Sequence, residues 1–101
     1  MKYLVVATTG EHVPLKKAAA IWSAAKEWMK VKMENGMLDC HFVFADSSGG
    51  FIVSNAESQE EVRDSLMDFP AFPLLQWEIT PLSERENHYD RLVELYQKTF
   101  A

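Results

Sequence analysis

The chain contains little cysteine, glycine, proline or arginine. Its 101 residues include one cysteine, Cys40, four glycines and four prolines. A single cysteine excludes an internal disulfide and any multi-cysteine zinc site. It also fits a reducing compartment. Arginines are confined to Arg63, Arg85 and Arg91, and the formal net charge is −5. With no basic stripe, a nucleic-acid partner is not expected. No apolar run is long enough to span a bilayer, and the opening MKYLVVATTG lacks the layout of a signal peptide. A cytoplasmic protein without a membrane partner is therefore expected. Nucleotide-binding, nucleophile-elbow and zincin motifs are missing. His12, His41 and His88 are scattered without metal-ligand spacing. Neither a metal site nor a cofactor is expected.

What remains is an ordinary globular composition, 48% apolar and 25% charged. The length fits a single domain over residues 1–101. A chain this short gains from association.

Periodicity and punctuation divide the chain. Tyr3–Thr8 is β-branched and aromatic and predicts a first strand. Tyr3, Val5 and Ala7 point one way, Leu4 and Val6 the other, so both faces of the strand need cover. Leu15–Glu34 predicts a helix with an apolar stripe through Ala18, Ile21, Trp22, Ala25, Trp28, Met29 and Met33. Pro14 suits its first turn, and Asn35-Gly36 supplies a left-handed stop.

Leu38–Ala45 predicts a second strand. Leu38, Cys40, Phe42 and Phe44 share one face, and Asp39, His41, Val43 and Ala45 the other. The cluster Asp46-Ser47-Ser48-Gly49-Gly50 predicts a hairpin into a third strand, Phe51–Ser54. Ser58 and Glu61 form a capping box that opens a second helix, which Pro70 ends. Leu74–Thr80 predicts a fourth strand, stopped by Pro81, and Glu84–Phe100 a third helix.

This order is the split pattern of ferredoxin-like α+β folds, βαββαβ with an extra C-terminal helix. Residues 1–82 form the core and 83–101 a helical extension. Two helices on one sheet face leave the other bare. Two such sheets packed together give a dimeric α+β barrel, so a second copy of the chain is the expected partner, in a homodimer or larger ring.

The run Asp64–Leu74, DSLMDFPAFPL, resembles the muconolactone isomerase family, whose second helix ends in a similar Leu-Met…Pro…Phe-Pro pattern. Lys26-Glu27, followed nine residues later by Gly36, is similar to the end of that family's first helix. The likeness runs without gaps from Gly36 to Leu82. It implies an α+β barrel that assembles into rings and shifts a double bond in a small unsaturated lactone by proton transfer. Such a lactone carries a carboxylate, so the resemblance also implies a positive or donor-rich subsite. Where that family carries basic or imidazole side chains on the second strand and hairpin, this chain has Asp39, Cys40, Val43 and Ser47. Only His41 is basic on that strand, one register away, and a one-residue shift changes the face. A substrate other than muconolactone follows.

His41 is the first catalytic candidate, because imidazole titrates near neutrality. Asp39, two residues away, is expected on the same face and near enough to pair with it. Lys26 and Glu27 form a second candidate pair, with a solvated helix face as the competing reading. Tyr3, Trp22, His12 and Phe72 are the candidate substrate-binding residues. The expected function is a cofactor-independent isomerase or cyclase, acting by proton transfer on a small apolar or cyclic ligand. Two other readings stand beside it: a non-catalytic ligand-binding or assembly module, and a cofactor-free monooxygenase by fold analogy.

Overall fold

The computed structural model describes residues 1–10 and 14–100. Its elements are β1 (Lys2–Thr9), α1 (Leu15–Glu34), β2 (Leu38–Val43), β3 (Gly49–Asn55), α2 (Gln59–Met67), a short 3-10 turn (Phe72–Leu74), β4 (Leu75–Leu82) and α3 (Arg85–Phe100). The strands form one antiparallel sheet in the order β2-β3-β1-β4. This is the ferredoxin-like α+β arrangement expected from the element order.

Local chemistry sets the boundaries. At the end of α1, Gly36 adopts φ 81° with open space around it, so the backbone angle is what requires glycine. Asn35 Oδ1 accepts from the Met37 N–H at 2.9 Å and turns the chain into β2. Ser58 caps α2 by accepting from the Glu61 N–H at 3.2 Å, while Glu61 reaches back to the Glu57 N–H at 3.3 Å.

Both helices cover the same sheet face. Tyr3, Val5 and Ile52 are buried there against Val62 and Leu66 of α2. Towards β4, Ala25 of α1 packs with Phe69 and Ala71 of the connector. Aromatic edges close that corner: Trp28 meets Phe69 at 5.1 Å, and Phe69 meets Trp77 at 5.7 Å.

The opposite face carries Leu4, Val6, Phe51 and Val53, all only partly buried, beside Phe42, which is 61% exposed. The ring of Phe51 lies 5.6 Å from that of Phe42 and 6.3 Å from that of Phe44. α3 extends the molecule to 65 × 27 × 23 Å, and Tyr89, Val93 and Leu95 on it are exposed.

Three strand boundaries differ from expectation by two residues. β2 ends at Val43 and contains a bulge between Leu38 and Cys40. The extra residue breaks the alternation. Leu38 therefore turns into the helix-covered core, while Cys40 and Phe42 pair with Val53 and Phe51 of the bare face. β3 starts earlier, at Gly49, because both hairpin glycines pair with β1. β4 runs through Pro81 to Leu82, which an edge strand permits because it has an unpaired side.

Candidate active site

One cross-sheet row explains why a cavity exists. Val43, Gly50, Ala7 and Trp77 lie side by side across the four strands. Its two central members have almost no side chain. Glycine is also required there, since a Cβ on Gly50 would stand 2.6 Å from the Phe42 carbonyl oxygen. The preceding row, His41, Ile52, Val5 and Ile79, is large and buried at its centre. The space above Gly50 and Ala7 stays open, and α1 roofs it with Trp22 and Met29.

The cavity measures about 500 Å³. Phe69, Leu75 and Trp77 wall the β4 side, and His41 and Val43 the β2 side. Thr9 and Ser47 bring hydroxyls to the hairpin end. That end is rigidly tied. The Thr9 N–H and Oγ1 both donate to the Ser48 carbonyl, at 2.9 and 3.1 Å, and the Gly10 N–H donates to Leu74 O at 3.1 Å. Ser47 sits at φ 63°, held in a turn where Asp46 Oδ1 accepts from the Ser48 N–H at 2.9 Å.

His41 is the one side chain among the described lining residues that titrates near neutrality. Burial pushes its pKa below the ordinary imidazole value. The neutral ring, with a free lone pair, is thus the form present at neutral pH. An imidazole in this state can accept a proton from a bound molecule and return it.

The other expected site residues are distributed differently. Trp22 lines the cavity and is 46% exposed. Asp39 does not face His41, because the bulge turns it towards Lys2 and Asn55. Its carboxylate pairs with the Lys2 ammonium and accepts from Asn55 Nδ2 at 2.7 Å. Those two hydrogen bonds hold its pKa below the usual carboxylate range. The expected Asp39–His41 pair is therefore not formed.

Tyr3 shares the helix-covered face but lies four residues, about 13 Å, along β1 from Ala7. It is buried in the core, its hydroxyl donating to Met1 Sδ at 3.7 Å. Phe72 stands behind the cavity wall. Its ring stacks on Trp77 at 5.7 Å, and its carbonyl accepts from Trp77 Nε1 at 3.0 Å. Lys26 and Glu27 are exposed and outside the lining. His12 lies outside the described residues. Thr9, Met29 and Gly50 were not among the expected site residues. Thr9 continues the alternation Tyr3, Val5, Ala7 and could have been read from it. Gly50 shows its role only once β3 is paired with β1.

No cation is present among the described lining residues, and none of those residues form a cluster able to hold a metal ion. Among the described residues, no helix is long and apolar enough to cross a membrane.

A helix-roofed antiparallel sheet bearing an open apolar cavity with one imidazole among its described lining residues defines a ferredoxin-like α+β protein with a site of small-molecule size. The chain belongs to the muconolactone delta-isomerase family, which it matches over residues 1–88. A solved muconolactone isomerase is similar at TM-score 0.74 and 24% identity, covering 83% of this chain and 90% of that one. A 5-chloro-2-hydroxyhydroquinone dehydrochlorinase from Burkholderia phenoliruptrix, solved with 2,5-dihydroxybenzoquinone, is similar at TM-score 0.64 and 14% identity. It covers 83% of this chain and 95% of that one. No curated protein sequence gives a significant match.

Proposed function

We propose that this chain is a cofactor-independent isomerase or cyclase that moves a proton within a small unsaturated cyclic compound, with His41 as the transfer group. The observation that carries the reading is one neutral imidazole at the wall of an otherwise apolar cavity. Family membership supports an isomerase-type reaction.

The chemistry needs little machinery. His41 removes a proton from a carbon next to a carbonyl. The electron pair moves onto the carbonyl oxygen as a dienolate, and the proton returns to the far allylic carbon. Hydrogen-bond donors near that oxygen lower the barrier. The Ser47 hydroxyl is the side-chain donor we assign to this part, because the Thr9 hydroxyl proton is engaged by Ser48. The aromatic walls keep water from the carbanion. The working unit is a homodimer or larger ring, in which a second copy covers the bare sheet face.

The test is proton NMR in deuterated buffer on α-angelica lactone, a neutral β,γ-unsaturated butenolide. Deuterium entry and double-bond migration above the buffer rate are expected, and both should be lost in His41→Gln. Binding without exchange would leave the site a ligand-binding module.

A further inference from the structure

The cavity wall carries information about charge. A carboxylate buried without a partner is strongly disfavoured, so sites for anions place a cation or several N–H groups in the wall. Here the described lining holds Trp22, Trp77, Phe69 and Met29, with the His41 imidazole on the β2 side and hydroxyls at the hairpin end. Lys26, one turn beyond Trp22 on α1, is exposed and not part of the lining. The lysine nearest the sheet in sequence, Lys2, is on the opposite face and already pairs with Asp39.

A cavity of about 500 Å³ falls within the range, roughly 300–1,000 Å³, of small-molecule sites. Indole and phenyl walls favour a flat ligand that can lie against their faces.

We infer that this cavity takes an uncharged, planar cyclic ligand, a phenol, quinone, enone or unsaturated lactone in class, and excludes carboxylates. The inference rests on the cavity being the site proposed above. It departs from the carboxylated lactone that the resemblance implies. The imidazole at the wall suits such a ligand, since a neutral ring can hydrogen-bond a phenol or enol without requiring a counter-charge.

A matched pair of probes tests this, 2-naphthol against 2-naphthoate, by isothermal titration calorimetry at neutral pH. The rings are alike and only the charge differs. 2-Naphthol is expected to bind at least tenfold more tightly. In Trp22→Ala, whose residue is half-exposed and outside the buried core, that affinity should fall about tenfold. Equal or tighter binding of 2-naphthoate overturns the inference. So does failure of both probes to bind, or a 2-naphthol affinity that Trp22→Ala leaves unchanged. His41→Gln separates the two proposals. If it loses proton exchange but keeps the preference for 2-naphthol, both stand. If 2-naphthol is preferred but no exchange occurs even with the unaltered protein, the ligand class stands and the proton-transfer function fails. If exchange occurs but 2-naphthoate is preferred, the reverse holds.

Discussion

His41 couples the proposed chemistry to pH. Its folded pKa lies below the ordinary value because burial penalises the imidazolium. Between the two values the unfolded chain binds more protons, so folding stability rises with pH there. The contribution is present above the ordinary imidazole pKa, roughly 6.5. It is lost as pH falls through the lower folded value. His41→Gln should flatten that part of the stability–pH curve, read from urea midpoints at several pH values. Proton-transfer activity should rise with pH through the same depressed value and then level off. Asp39 does not take part. Its pairing with Lys2 is on the surface, where such pairs contribute below about 1 kcal/mol. Asp39→Ala should therefore leave the His41 titration, followed by NMR, unmoved. A downward shift would mean that Asp39 supports the imidazole after all. His41 was legible as the lone basic residue of its strand. The separation of Asp39 was not, because no glycine or proline marks the bulge at Leu38/Cys40.

The elements follow from punctuation. Asn35-Gly36 and the Ser58…Glu61 box appear in the structure where the sequence places them, while Pro14 stands one position earlier than the first turn, as the N-cap of α1. Each acts within a few residues, through a fixed φ or a hydrogen bond to a nearby N–H, so each can be read without knowing the fold. Ser58→Ala removes one such bond and should lower stability by about 1 kcal/mol in urea denaturation. An unchanged midpoint would show that tertiary packing alone sets the start of α2. Features that depend on a partner strand were not legible. Pro81 reads locally as a stop, yet an edge strand accommodates it. Gly50 reads locally as turn, yet it pairs with both Ala7 and Val43 and opens the cavity floor. The cavity thus comes from register, a property of two strands together, and this is why Met29 entered the site only with the fold in hand.

At the scale of the molecule, one sheet face is unclad. Two helices cover the side of Val5 and Ile52, and leave Leu4, Val6 and Val53 partly open beside the exposed Phe42. The radius of gyration, 17.3 Å, exceeds the roughly 13 Å expected of a compact chain of this length, because α3 reaches outward. Both features suit a chain completed by further copies of itself, as the apolar faces of the first strand suggest. Phe42→Glu would place a charge on that face, at its β2 edge. Sedimentation equilibrium is expected to find a dimer or larger for the unaltered chain and a smaller species for the variant. Equal masses for the two would remove the bare face from the assembly.

The central claim joins His41 to the cavity, and deuterium exchange into α-angelica lactone tests it most directly. General acid–base groups typically contribute about 10²–10⁴-fold in rate. Exchange well above the buffer rate, falling at least about a hundredfold in His41→Gln, is the expected result. No exchange with the unaltered protein, or exchange that survives the substitution, would contradict the assignment.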